Sequence, residues 1–193
     1  MGKTVRKIGV LGLVRRQLSQ RARRLYLQSV IMPDIEYCAV AFLSSLPAKG
    51  RNRLLSLFRR ALRAVAGANP CADCVRIIRN LKLEPLLNRW LLQLCSFVCC
   101  KHPPAACLAG MFSQSSATHA TRGKQAGNLV IPVCNRMSGY NSVTVRLSLL
   151  WSALPNDLKS CSSLPVFRKF LLSLLSDPQA VLRLSSLVFD SFM

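Results

Sequence analysis

The sequence predicts a mainly α-helical fold, and three observations predict it. Residues 51–66 place Leu54, Leu57, Phe58, Ala61, Leu62 and Val65 on one arc at about 100° per residue, with Arg53, Arg59, Arg60 and Arg63 opposite. Residues 163–175 repeat the design, with Phe167, Phe170, Leu171, Leu174 and Leu175 at i, i+3, i+4, i+7 and i+8. Pro85 suits the first turn of a third long helix, reaching to Cys100 and ended by His102-Pro103-Pro104.

The elements follow in order. Residues 3–17 are expected to be helical, with Val5, Ile8, Leu11 and Val14 on one side, although Gly9 and Gly12 weaken the helix. Ser19 suits the N-cap of a second helix from Gln20 to Met32, which Pro33 is expected to stop. Residues 34–43 read as helix in preference to strand, and Ser44 to Gly50 as a turn. The helix over 51–66 ends at Gly67, with Pro70 beyond. Val75 to Leu81 forms a short helix. Residues 111–128, rich in Ser, Thr, Gly and Ala, read as a loop or linker. Leu129 to Val133 reads as a short extended segment, with Pro132 placing it at an edge. Val143 to Trp151 is open between helix and strand, because a β-branched start and a leucine-rich end disagree. Ser163 then caps the last strong helix, with Pro165 in its first turn, and Asp177-Pro178 closes it. Residues 179–193 are apolar without a clear period. The expected organisation is a basic helical region over 1–110, a linker over 111–128, a C-terminal module over 129–175 and a tail over 176–193.

Charge narrows the function. The 193 residues carry 27 Lys and Arg against 7 Asp and Glu, a net charge of +20. Residues 1–63 hold 14 of the basic residues against Asp34 and Glu36 alone, a net +12. Such an excess makes a polyanion the default partner, with nucleic acid first and an anionic membrane surface second. The basic N-terminal helices lack the bulky aromatic face of a membrane-lying helix, so no membrane partner is expected. Arg15 and Arg16 interrupt any secretory signal, and the apolar run from Trp90 to Cys100 is about half of what a membrane span needs. The chain is therefore expected inside the cell, with nucleus and cytoplasm both open. Its nine cysteines are then reduced thiols, several of them buried.

One segment is more specific than composition. Leu149-Leu150-Trp151-Ser152-Ala153-Leu154-Pro155-Asn156-Asp157-Leu158 sets a helix ending in Trp before a Leu-Pro stop and a polar turn. Ser163-Leu164-Pro165-Val166-Phe167-Arg168-Lys169-Phe170-Leu171 then begins a second helix. Together they resemble the C-terminal region of reverse transcriptases from LINE-type, non-LTR retrotransposons. Further segments are similar in the same order. Lys7 to Leu11 resembles the basic helix after the polymerase palm. Ala22-Arg23-Arg24-Leu25-Tyr26, Ser29 to Pro33 and Ile35 to Cys38 resemble the family's Leu-Tyr and Pro-Tyr segment. Leu57 to Gly67 resembles the basic helix that follows. Leu81 to Leu86 resembles the start of the next helix, and Val130-Ile131-Pro132 the stretch before the tryptophan module. The resemblance covers residues 3–175.

The resemblance implies the thumb-like and connecting region beyond the palm, which holds the template–primer duplex during target-primed reverse transcription. It does not imply catalysis by this chain. Nucleotidyl transfer needs carboxylates to hold Mg²⁺, and the family's palm carries two adjacent aspartates. Here Asp34, Asp73, Asp157, Asp177, Asp190, Glu36 and Glu84 are all isolated. No catalytic residue and no cofactor is expected, Mg²⁺ belonging to the full-length parent, whose palm is missing from this sequence. The candidate phosphate-binding residues are Arg53, Arg59, Arg60 and Arg63 on one helix face, followed by Arg15, Arg16, Arg21, Arg23 and Arg24. Backbone contacts of this kind give affinity without choice of sequence. The bland alternative is a solvated helix face on a degenerate remnant without activity. A third reading is a small basic protein that binds nucleic acid on its own account.

Other constellations weigh less. Cys71 and Cys74, with Cys95, Cys99 and His102, invite a zinc reading, since four of them could close a tetrahedral site. Cys95 and Cys99 lie in an apolar helix, however, where buried thiols are ordinary, so no metal is expected. His102 and His119 have no convincing nucleophile or orienting acid in the sequence, so a Cys–His hydrolase is not the expected reading. Trp151, between Leu150 and Leu154, reads as a core anchor in preference to a base-stacking platform, and so do Phe167 and Phe170.

Overall fold

Cap chemistry sets several helix ends in the computed structural model, which describes residues 2–37, 39–43, 46–99, 129, 131 and 142–189. The fold is mainly α, as the periodicity predicts. Two compact units divide the chain. One comprises residues 1–39 and 46–86, the other residues 40–45 and 87–193. The short helix α4, Ala39–Phe42, lies at their junction in sequence. The linker expected over 111–128 lies outside the described residues. Of the extended segment expected over 129–133, only Leu129 and Ile131 are described, Leu129 in an isolated β-bridge.

The first unit begins with α1, Gly2–Val14, which buries Thr4, Ile8 and Leu11. The helix is shorter than the expected 3–17, and Val5, expected on the buried side, is exposed. Leu13 is 84% exposed. Methyl groups added at Gly2, Gly9 and Gly12 would meet nothing within 4 Å.

α2, Gln20–Tyr26, starts where Ser19 Oγ accepts the Ala22 N–H at 3.2 Å. The expected stop at Pro33 does not occur. The helix passes through a π turn, Leu27–Ile31, into α3, Met32–Glu36. Proline lacks the N–H that Ser29 C=O would accept, and its ring crowds that carbonyl. Widening the turn absorbs both defects, because the Met32 N–H reaches back to Leu27 O, five residues away.

α5, Ala48–Ala66, begins three residues before the expected Arg51 and buries the whole expected stripe of Leu54, Leu57, Phe58, Ala61, Leu62 and Val65. It packs against α1, α2 and the π turn. Gly67 ends it in the left-handed region, at φ 67°. A Cβ there would also approach Arg23 Nη1 at 3.2 Å. Gly67→Ala is expected to destabilise the chain by about 1–2 kcal/mol, the cost of a left-handed L-residue, read as a lower urea midpoint. An unchanged midpoint contradicts this assignment. α6, Cys74–Asn80, packs on α5, and Asp73 Oδ1 caps it by accepting the Val75 N–H at 2.9 Å.

The second unit contains α7, Leu86–Cys99, from its second residue on. It also contains α8, Val143–Ser152, which settles the open choice over 143–151 as helix. Ser142 makes the difference, since its Oγ accepts the Val145 N–H and gives the β-branched start a cap. α9, Asn156–Lys159, follows Leu154-Pro155. Lys159 Nζ donates to Ser152 O at 3.0 Å, satisfying a carbonyl of the last turn of α8. α10, Leu164–Leu174, has Pro165 in its first turn as expected. Ser163 holds the cap position there without making a side-chain capping bond.

Phe167, Leu171 and Leu175 are buried, but Phe170 is 58% exposed, which corrects its expected place in the core. At about 100° per residue, Phe170 lies at the margin of the stripe, past the half-buried Leu174. The apolar tail is also corrected, because it contains α11, Pro178–Phe189. Asp177-Pro178 closes one helix and starts the next. Asp177 Oδ1 accepts from Gln179 N at 3.0 Å, and Oδ2 from Ala180 N at 3.3 Å. α8 packs on α11, and Arg146 Nη1 donates to Leu187 O at 2.9 Å near the end of α11. Two aromatic pairs mark this core. Trp90 meets Phe189 edge-on at 6.2 Å, and Trp151 stacks on Phe167 at 6.0 Å.

Candidate nucleic-acid interface

The sequence of α5 contains no acidic residue. With its apolar arc buried, the helix turns Arg53, Arg59 and Arg60 to solvent. No hydrogen bond or ion pair engages these three among the described residues. The earlier start of α5 adds Lys49, which is exposed and lies within about 40° of Arg53 around the helix axis. Lys49, Arg53, Arg59, Arg60 and Arg63 fall within about 120° of arc and about 21 Å of helix length. Pro47, directly before the helix, was the sequence signal for that earlier start.

Arg63 is partly buried, and its Nε donates to Ala72 O at 3.3 Å. Arg24 Nη2 donates to Lys82 O at 3.3 Å. The Arg23 guanidinium lies beside Gly67, at the C-terminal end of α5. A cation there complements the negative end of the helix dipole. Arg24 and Arg63 therefore hold backbone segments of the first unit together, whereas the buried Arg23 Nε has no hydrogen-bond partner among the described residues. Arg16 and Arg21 are exposed, and Arg15 is partly exposed. They flank Ser19, in the turn between α1 and α2. Arg76 and Arg79 add exposed charge on α6.

An ion pair between α1 and α3 braces this unit. Lys7 Nζ lies 2.8 Å from Asp34 Oδ2 and also donates to Asp34 Oδ1 at 2.8 Å. Thr4 Oγ1 donates to Asp34 Oδ2 at 3.3 Å, and α1 is thereby tied to α3. The hydrogen bond from Lys7 holds the Asp34 carboxyl below its usual range, with Thr4 and the Lys7 charge assisting against partial desolvation. A carboxylate with a depressed folded pKa contributes stability above its unfolded value and loses it as pH falls through the folded value. Asp34→Asn is expected to destabilise the chain near pH 7. The gap to the parent should close as pH falls below about 4, the ordinary carboxylate value. Urea midpoints across that range test it, and a gap constant with pH refutes it.

The other candidates fall as follows. Cys71 is exposed, Cys74 and Cys99 are partly exposed, and Cys95 is buried. Burial pushes the Cys95 thiol far above its usual range. His102 and His119 lie outside the described residues. Among the described residues, no group of three or more His, Cys, Asp or Glu is placed to hold a metal ion. Trp151 is buried and stacked on Phe167, which makes it a core residue. Among the described residues, no helix is long and apolar enough to cross a membrane.

The chain matches no family model, no curated protein and no solved structure.

Proposed function

We propose that the chain holds nucleic-acid backbone, without choice of sequence, on the cationic face of α5. We further propose that it does so as a relative of the post-palm region of LINE-type reverse transcriptases. The observation that carries the first part is the division of α5. One arc is fully buried, and the other presents Arg53, Arg59 and Arg60 with no carboxylate on the helix. Side chains of this kind neutralise phosphates and release condensed counterions, and that release supplies the affinity. The ordered resemblance over residues 3–175 supports the second part.

In this reading the chain performs no chemistry. Its carboxylates are isolated in sequence, and nucleotidyl transfer would fall to a palm with paired aspartates and Mg²⁺. The chain's share is to keep template and primer in place.

Titration against an RNA–DNA hybrid over a salt series tests the proposal. The expected result is log K falling linearly with log salt concentration, with little dependence on sequence. A flat dependence overturns it and leaves a remnant without activity. Comparing the hybrid with duplex DNA and single-stranded RNA separates a template–primer holder from a general basic binding protein.

A further inference from the structure

Between α5 and α6 the chain turns through Cys71-Ala72-Asp73-Cys74. We propose that Cys71 and Cys74 are a reversible modification site. They close an intramolecular disulfide by exchange with a small disulfide of the glutathione type, and closure frees Arg63 for the cationic face of α5. The disulfide itself stands on the loop alone; its effect on binding rests on the function proposed above.

The loop is held on both sides of the pair. The Ala72 N–H donates to Asn69 O at 3.0 Å, which folds residues 69–72 into a turn. Asp73 is fixed by its capping bond to Val75. The two thiols are thus separated by two residues of locally anchored chain. Cys71 is exposed and Cys74 partly so, whereas Cys95 is 1% exposed and closed to a reagent in solution. Access decides which thiols exchange.

The link to Arg63 is a shared acceptor. The Ala72 carbonyl, between the two cysteines, accepts Arg63 Nε–H at 3.3 Å and lies 3.9 Å from Cys74 Sγ. Disulfide geometry brings the two Cβ atoms to about 3.8 Å. Cys74 Sγ must then leave the Ala72 carbonyl and turn to Cys71. In the proposed closure the Ala72–Asp73 peptide, which lies between the two anchoring bonds, pivots with it, and Arg63 loses its acceptor. On α5, Arg63 stands about 40° from Arg59, about 60° from Arg60 and about 80° from Arg53, so the freed guanidinium joins their arc.

The exchange balances without another reactant. One cysteine thiolate attacks a sulfur of the small disulfide, whose S–S bond breaks and releases one small thiol. The second cysteine attacks the mixed disulfide, forms the Cys71–Cys74 bond and releases the second small thiol. Two protein thiols are oxidised, the reagent is reduced to two thiols, and the protons pass to the departing sulfurs.

The full chain is equilibrated in mixtures of reduced and oxidised glutathione, quenched by alkylation and mapped as peptides. The expected product is a peptide bridging Cys71 and Cys74 with two hydrogens lost, absent in Cys71→Ser and in Cys74→Ser. The Arg63 Nε–H resonance should shift on closure in the parent chain and stay in place in both Ser variants. With an RNA–DNA hybrid, closure should steepen the slope of log K against log salt by about one, and Arg63→Ala should abolish that change. Persistent glutathione adducts without closure overturn the disulfide. Closure with an unmoved Arg63 resonance overturns the coupling. If the hybrid does not bind, the proposed function fails, while the peptide map and the resonance still decide this inference.

Discussion

Replacing Arg53, Arg59 and Arg60 together by Ala is expected to remove about 2.7 from the slope of log K against log salt, near 0.9 for each phosphate that is no longer neutralised. Binding should weaken by a similar factor across sequences, because backbone contacts position the duplex without reading it. All three side chains are exposed, and surface substitutions of this kind shift stability by about 0.5 kcal/mol or less. The urea midpoint should therefore stay close to that of the parent. Replacement of the same three by Lys keeps the charge and should keep most of the slope. If the Ala variant keeps the parental slope, α5 does not hold the phosphates. If it loses binding and stability together, the substitutions report on folding and not on phosphate.

Phe167→Ala is expected to cost about 3–5 kcal/mol, the range for emptying a buried aromatic site. Phe167 has no exposed surface, and its ring stacks on Trp151 at 6.0 Å, which adds a ring–ring contribution to that of burial. Phe170→Ala, on the same helix and also expected in the core from sequence, should cost about 0.5 kcal/mol or less, since the ring is mostly in solvent. Equilibrium urea unfolding of the two variants beside the parent decides the matter. Similar losses for both would mean that the α10 stripe is placed wrongly.

These two residues show how far the sequence could be read. A stripe with period 3.6 identifies a helix and its buried side, and for α5 and α10 it did so closely. It does not say how wide the buried arc is. That depends on the neighbouring elements, and Phe170 at the margin is the position they leave uncovered. Pro33 misled for a different reason, and Pro178, which follows the end of α10 as expected, also opens a helix that went unread. A proline removes one donor and crowds one carbonyl, and both effects have local remedies. A π turn absorbs them at Pro33, and the first turn of a new helix absorbs them at Pro178. Asp177 gave the signal for that new helix, because Asp before Pro caps as readily as it terminates. The arginines divide along similar lines. Net charge and the polar arc of α5 were legible. That Arg24 and Arg63 spend hydrogen bonds on Lys82 O and Ala72 O was not, because both acceptors depend on tertiary packing.

The glycines of α1 have a consequence for motion. Gly9 and Gly12 lie inside the helix, each costing about 0.5–1 kcal/mol relative to Ala, and neither is held by a close neighbour that a methyl group would displace. α1 gives up helical stability without compensating packing at those positions. It rests on Thr4, Ile8, Leu11 and the Lys7–Asp34 pair. In hydrogen exchange, the amides of α1 should lose their protection ahead of those of α5, and sooner still at acid pH, where Asp34 is protonated. Transient opening of this one helix would bare apolar side chains of the first unit while the arginine arc of α5 keeps its shape. The chain would then loosen first on its N-terminal side and last along its basic helix.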